Sequence, residues 1–326
     1  MSVQEIARRA GVSTATVSRV LNRSALVKPD TRERVEAVIA ELGYQTNMLA
    51  RNLRTAESRL VLTMVPDFGN PFYAEIVRGI DAVARSEGYH VLLCDTGAQL
   101  SEERTYFDML RHRLADGAIC LDPDSIQQAL TQETGGLSWV ACCEFDPDGG
   151  VPYVGIDNER AALDAVSYLV AKGRRRIALL NSDDRYRYAR LRRKGYHAAL
   201  AAAGLQPLAM RETLGLTFED GRAAVAELLA GPERPDGIFA VSDTLAIGAM
   251  RGVRDAGLSV PHDVAVVGFD NVPLASMVDP QLTTVEQPMK ALGEAAAQML
   301  LKHLREPDAV LGGILLPHRL VVRESA

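Results

Sequence analysis

The apolar positions at the start of the chain repeat with helical spacing in three short segments. We predict a first helix over residues 3–10, which Gly11 ends, and a second helix that Ser13 can cap. A third helix is predicted to start near Pro29 and to run to Leu42. The three segments therefore predict one compact three-helix head, with a tight glycine-containing turn between its first two helices.

The second of these helices has two different faces. Its apolar side chains fall on one side, and the small or hydrogen-bonding residues fall on the other. A pair of short helices with a tight turn is the architecture that places its second helix in the major groove of DNA. The candidate DNA contacts are Ser13, Thr14, Ala15, Thr16, Ser18, Arg19 and Asn22. By spacing alone, a capped surface helix of a small bundle is the alternative interpretation.

From Leu60 onward, short apolar runs alternate with amphipathic stretches. The first runs are 60–66, 90–95, 117–121 and 138–143, and a second series follows at 176–181, 237–242 and 263–270. Amphipathic helical stretches lie between most of them, which is typical of βα units around a parallel sheet. The chain is therefore predicted to be of the α/β class, with two similar lobes after the helical head.

Ligands of such sheets bind beyond the carboxyl ends of the strands, and two facing lobes form a cleft there. Phe72 and Tyr73 follow the first predicted strand and can stack on a sugar or a base, although core packing is an alternative for either ring. Four carboxylates also follow apolar runs, and helix capping is the alternative for them: Asp95, Asp157, Asp243 and Asp270.

The charge distribution separates the head from the rest of the chain. The first 59 residues contain ten basic and six acidic residues, whereas the remainder contains 26 basic and 36 acidic residues. A head of net charge +4 on a body of net charge −10 suits a polyanionic partner that is bound at one end only.

The composition argues against several other classes of protein. Cys94, Cys120, Cys142 and Cys143 lack the paired spacing of zinc sites and are expected to be reduced core thiols. We find no export signal and no long apolar run, so a cytoplasmic protein is expected rather than an exported binding protein. Nucleotide-loop, metalloprotease and hydrolase motifs are absent, so we expect no catalytic residues, no cofactor and no metal.

The run VQEIARRAGVSTATVSRVLN, residues 3–22, resembles the start of the LacI/GalR family of bacterial repressors. The similarity continues along essentially the whole chain. It implies a helix-turn-helix domain at 1–46, a hinge at 47–58 and a periplasmic-binding-protein-like body at 59–326. In that body, two doubly wound α/β lobes are expected at about 59–157 with 288–317, and at about 158–287 with 318–326.

The resemblance also implies a role for the segment NMLARNLRTAES at 47–58. In the family the matching segment is a hinge helix that folds on operator DNA and inserts a leucine into the minor groove, and Leu53 matches that leucine. Asn47, Ala50 and Arg54 lie beside it and are further candidate DNA contacts. An ordinary linker is the alternative. The chain also lacks the proline that the family usually has shortly before this hinge, since Gln45 and Thr46 follow Tyr44.

The resemblance places further residues in the cleft: Arg192 in ARLRRKGY, Asp270 in GFDN, Gln287 in LTTVEQP, Asp157 in VGIDN, and Ser242 and Asp243 in VSDTLAIGAM. It implies a transcriptional repressor whose affinity for a pseudo-palindromic operator is controlled by a nucleoside, a sugar or a sugar acid. The segment between Ser182 and Tyr188 departs from other members, so the effector stays open. A homodimer is expected because no heptad helix follows the strand-like run before Ala326.

Overall fold

The computed structural model describes residues 2–21, 26–43, 57–121, 136–208, 210–213 and 215–326. These residues form two compact units, Met1–Ser58 and Arg59–Ala326, which we call the small unit and the large unit. Asn22 and the hinge candidates Asn47, Ala50, Leu53 and Arg54 lie outside the described residues. Within the part of the chain that is described, no helix has both the length and the apolar character needed to span a bilayer.

The small unit contains the three predicted helices, α1 (Val3–Ala10), α2 (Thr14–Leu21) and α3 (Pro29–Glu41). Its core is formed by apolar residues that recur at helical spacing, among them Ile6, Val17 and Val35, each fully buried. Gly11 adopts a left-handed conformation (φ 64°) that ends α1, a conformation that glycine adopts without strain.

The first sheet of the large unit has the strand order β11-β5-β4-β3-β1-β2, and all its pairings are parallel. With the helices that pack on it, we call it lobe 1. Its strands are β1 (Leu60–Val65), β2 (His90–Asp95), β3 (Gly117–Cys120), β4 (Trp139–Cys142), β5 (Tyr153–Gly155) and β11 (Gly313–Leu315). Its helices are α4 (Pro71–Ser86), α5 (Leu100–Arg111) and α10 (Met289–Arg305).

The second sheet has the order β12-β10-β9-β8-β6-β7, and with its helices it forms lobe 2. Its strands are β6 (Ile177–Asn181), β7 (Met210–Glu212), β8 (Gly237–Ala240), β9 (Ala265–Asp270), β10 (Thr283–Glu286) and β12 (Arg319–Val321). Its helices are α6 (Asn158–Ala171), α7 (Arg187–Ala202), α8 (Phe218–Ala230) and α9 (Asp243–Asp255). The central strands are buried along their length, as parallel strands covered on both faces are.

The predicted α/β class is confirmed, but the sheets differ from the prediction at their edges. Strands β5, β7, β10 and β11 were not predicted, and β12 pairs antiparallel with β10 rather than parallel. The strand-like run before Ala326, residues 315–324, contains β12 (Arg319–Val321) in lobe 2, and its first residue, Leu315, ends β11 in lobe 1.

Candidate functional site

A narrow cavity lies between the two lobes, at the carboxyl ends of strands from both sheets. Its volume is about 40 Å³. The residues that line it are Asn70, Phe72, Tyr73, Leu121, Cys143, Glu144, Tyr188, Arg192, Leu216, Val241, Ser242, Asp270 and Gln287. Pockets that hold small ligands are several times larger. The lobes or their side chains must therefore move apart before a sugar-sized molecule can occupy this cleft.

Arg192 forms the centre of the cleft and is almost completely buried. Its Nε donates to Oδ1 of Asn158 at 2.9 Å and its Nη1 donates to the carbonyl of Val241 at 2.5 Å. The guanidinium lies 3.6 Å from the centroid of the Phe269 ring and 4.8 Å from that of Tyr188. Burial lowers the pKa of Arg192, and the charge of Asp270 acts in the opposite direction. The side chain is thus fixed in place as a planar group with donors left over for a ligand.

Asp270 is the acidic counterpart of Arg192 in the cleft. Its Oδ1 lies 4.0 Å from Nη1 of Arg192 and accepts a hydrogen bond from Nε2 of Gln287 at 2.7 Å. Asp270 and Asn271 have φ angles of 114° and 60°, which are unusual for residues with a side chain. Strained backbone of this kind clusters at functional sites, where the surrounding structure enforces it. Burial raises the pKa of Asp270 to about 6, while Arg192 and Gln287 counteract part of the rise.

The raised pKa of Asp270 predicts that stability depends on pH between about 4 and 6. Its pKa is about 6 in the folded chain, above the roughly 3.9 of an unfolded aspartate. Between these values the unfolded chain has lost the proton that the folded chain retains, so the contribution of Asp270 to stability falls as pH rises. The quantity to follow is the difference in unfolding free energy, wild type minus Asp270→Asn. We expect this difference to decrease as the pH rises through this window and to stay constant at higher pH. Urea titrations across the window measure this difference, and a rising difference would contradict the assignment.

Three more of the predicted cleft residues, Phe72, Tyr73 and Ser242, also line the cavity. Phe72 and Tyr73 pack edge to face with their ring centroids 5.3 Å apart, and Asn70 caps α4 in front of them by accepting from the Phe72 backbone N–H. Phe72 is also a core residue, since only 7% of its surface is exposed. Ser242 caps α9 by accepting from the backbone N–H of Leu245.

The other three predicted cleft residues, Asp95, Asp157 and Asp243, do not line the cavity. Asp95 and Asp157 are exposed, and their carboxylates accept from the backbone N–H groups of Gly97 and Arg160, so that Asp157 caps α6. The residue after Asp157, Asn158, is the one that contacts Arg192.

Asp243 has a structural role instead of a cleft position. Asp243 is fully buried, and its carboxylate accepts from the Val272 backbone N–H at 2.8 Å and from the Thr284 hydroxyl at 2.5 Å. It therefore links the loop after β9, which contains Val272, to strand β10, which contains Thr284. Burial raises the pKa of Asp243 well above its ordinary value, and the negative charge of Asp270 raises it further.

Several cleft residues were missed by the sequence analysis, notably Cys143, Glu144 and Tyr188. Glu144 follows directly after a predicted strand, so the strand-end rule applied there would have found it. Its Oε1 accepts from the Tyr188 backbone N–H at 3.0 Å, a contact between lobe 1 and lobe 2. Cys143 has a φ of 72°, a second point of backbone strain beside the cavity. The Cys142 thiol and burial raise the pKa of Cys143, so it remains a thiol, and all four cysteines are free.

A second candidate surface lies on α2 in the small unit. Thr14, Ala15 and Arg19 are exposed on it, whereas Val17 and Val20 are buried beneath. Ser13 is exposed in front of the helix, and its hydroxyl accepts from the Thr16 backbone N–H at 3.1 Å and lies 2.9 Å from the Thr16 hydroxyl. Thr16 and Ser18 are half-buried. The described groups of the chain contain no cluster of three or more potential metal ligands.

Comparison with known proteins matches both units. The model of the bacterial regulatory proteins of the lacI family matches residues 2–47, and that of a periplasmic binding protein-like domain matches residues 166–326. The chain is 36% identical to the HTH-type transcriptional repressor CytR of Escherichia coli K12, over 99% of this chain and 96% of that protein.

Solved structures agree with these matches. The lac repressor dimer bound to operator and the anti-inducer ONPF is 30% identical, with a TM-score of 0.91 over 100% of this chain and 98% of that chain. The complex of the transcriptional regulator CelR with cellobiose is 32% identical, with a TM-score of 0.75 over 100% of both chains.

Proposed function

Because this chain belongs to the LacI family of bacterial regulatory proteins, we propose that it represses transcription by binding operator DNA under the control of a small effector. The members of this family are regulators and not enzymes. The protein acts in the cytoplasm, where its operator lies. The cleft between the lobes holds the effector, and the small unit binds the DNA.

The exposed face of α2 is the observation that carries the DNA-binding part of this proposal. A short helix that buries one side in a three-helix core and exposes Thr14, Ala15 and Arg19 has the dimensions and the chemistry of a recognition helix. Arginine donates two parallel hydrogen bonds to a guanine edge, while a hydroxyl or a methyl group distinguishes other bases. We assign Ser13, Thr16 and Asn22 to phosphate contacts, and Ser18 to a further contact on the face that α2 turns to the DNA.

Replacing Arg19 with alanine tests this proposal. We expect Arg19→Ala to weaken operator binding by about 1–3 kcal/mol and to relax base preference at one symmetric pair of positions. The operator is first selected from randomised DNA, and affinities are then measured by fluorescence anisotropy at one fixed salt concentration. Arg8→Ala is the matched control, since Arg8 is exposed on α1 and pairs with Glu5. An equal loss on all DNA sequences would show that Arg19 contacts phosphate instead.

The lining of the cleft supports a polyhydroxylated ring as the effector. Arg192, Asp270 and Gln287 offer fixed donors and acceptors, and Phe72, Tyr73 and Tyr188 offer aromatic surface. This combination suits a nucleoside, a sugar or a sugar acid, because hydroxyl groups bond the polar side chains while a ring stacks on the aromatic ones. Since the cavity is too small for such a ring, binding must move the lobes or the side chains that line the cleft. A shift of the lobes between two arrangements is how an effector can change a distant site.

We propose that the protein acts as a homodimer that reads the two halves of a pseudo-palindrome. One short recognition helix reads too few base pairs for useful specificity. Both lobes expose large apolar side chains that self-association would cover, namely Phe68, Leu92 and Leu93 in lobe 1, and Leu274 and Met277 in lobe 2. The hinge at 47–58, with Leu53 as its minor-groove wedge beside Asn47, Ala50 and Arg54, would transmit the movement of the lobes to the recognition helices.

A further inference from the structure

Among the described residues, three charged side chains line the cleft, and two of them are acidic. Arg192, Asp270 and Glu144 each have 6% or less of their surface exposed. Arg192 and Asp270 lie 4.0 Å apart and compensate one another. The described residues of the cavity wall thus carry one more negative than positive charge, which disfavours a negatively charged ligand.

The donors of Arg192 are also partly committed to the protein. Asn158 and the Val241 carbonyl accept from it, and the rings of Phe269 and Tyr188 lie 3.6 Å and 4.8 Å from its guanidinium. A phosphate or a carboxylate is bound most strongly by the open, two-pronged edge of an arginine that has no other anion to satisfy. In this cleft Arg192 already faces the carboxylate of Asp270, whose Oδ1 lies 4.0 Å from its Nη1. The remaining N–H groups can bond neutral hydroxyls.

Glu144 fills the other place in the cleft that would suit an anion. Its carboxyl group extends from the end of β4 in lobe 1 and accepts from the Tyr188 backbone N–H, at the second residue of α7 in lobe 2. The N-terminus of a helix attracts negative groups, because its free N–H groups and its dipole both point at them. An acidic side chain of the protein itself thus occupies this position.

On the basis of the function proposed above, we propose that the effector is an uncharged polyhydroxylated ring, a free sugar or a nucleoside, and that Glu144 excludes its phosphorylated and carboxylate counterparts. An anionic effector would bring a third negative charge next to Glu144 and Asp270, which are both buried. Like charges brought together among buried groups cost far more than they do in solvent. Asn70, Ser242 and Gln287 also line the cavity, and the hydrogen bonds described above use only part of their capacity, so each can also bond a ligand hydroxyl.

Titration calorimetry of the full chain with matched pairs of compounds tests this inference. The pairs are ribose with ribose 5-phosphate, cytidine with cytidine 5′-monophosphate, and glucose with gluconate. We expect at least one neutral compound to bind, and its charged counterpart to bind more weakly by about tenfold or more. A charged compound that binds as tightly as its neutral counterpart would overturn the inference while leaving effector control intact. If no compound of either kind binds, the proposed effector site itself is wrong.

The variant Glu144→Gln tests whether Glu144 is the residue that excludes anionic compounds. Glutamine keeps an oxygen that can accept from the Tyr188 N–H, so the contact between the lobes survives while the negative charge is removed. We expect the ratio of neutral to charged affinity to fall by about tenfold in this variant. Glu219→Gln, the same change at an exposed position on α8, should leave the ratio as in the wild type. An unchanged ratio in Glu144→Gln would show that Glu144 does not select against anions.

Discussion

Replacing Gly293 with alanine is expected to destabilise the large unit by about 3 kcal/mol, although alanine is the better helix former. A Cβ atom at Gly293 in α10 would lie well inside 3.0 Å of the Ile76 carbonyl oxygen in α4. Gly79 in α4 meets the Lys290 carbonyl of α10 in the same way. Both neighbours are backbone atoms, so only a displacement of one whole helix can make room. Overpacking therefore outweighs the roughly 1 kcal/mol that alanine gains from helix propensity.

Gly312→Ala is the matched control for this prediction. A Cβ atom at Gly312 would meet no heavy atom within 4 Å, and the residue is exposed. The change there is expected to be within about 0.5 kcal/mol of zero. Urea unfolding is followed by the fluorescence of Trp139, the single tryptophan of the chain, which is buried in β4 of the same lobe. Stability gained in Gly293→Ala would show that α4 and α10 are less closely packed than the structure indicates.

The regular elements of the fold could be predicted from the sequence because their patterns are long. Strands such as β1 and β9 are apolar runs buried on both faces, and the helices between them have clear amphipathic spacing. The strands that were missed have only three or four residues. β7 and β11 contain no fully buried residue, so the apolar pattern that marks a strand is absent there. Their pairing depends on neighbours that are distant along the chain.

The site was harder to predict because the same residue type follows many strands. The sequence shows that Asp157, Asp243 and Asp270 each follow an apolar run, but not where each carboxylate points. Asp157 caps the helix that begins after it, as short acidic side chains commonly do. Asp270 is directed into the cleft by a backbone with φ 114°, and no local pattern in the sequence indicates this conformation. The resemblance to the family identified Arg192, whose environment comes from four separate segments of the chain.

Arg192→Ala is expected to remove the effector response completely while operator binding by the small unit remains. Removing the guanidinium leaves Asp270 buried without its cation, and the loss of one partner of a buried pair costs about 3–5 kcal/mol. The same change removes the donors that a ligand hydroxyl would bond. Arg193→Ala is the control, because Arg193 is the next residue along α7 and pairs with Asp184 and Glu212 at the surface, where such pairs contribute about 1 kcal/mol or less.

A second variant separates the loss of stability from the loss of binding. In Arg192→Ala with Asp270→Asn, the uncompensated charge is absent, so we expect much of the stability to return while effector binding does not. Urea unfolding measures the first quantity, and operator titration with and without the effector found by calorimetry measures the second. Effector affinity that is retained in either variant would place the ligand away from Arg192, and the strained backbone of Asp270 would then need another explanation.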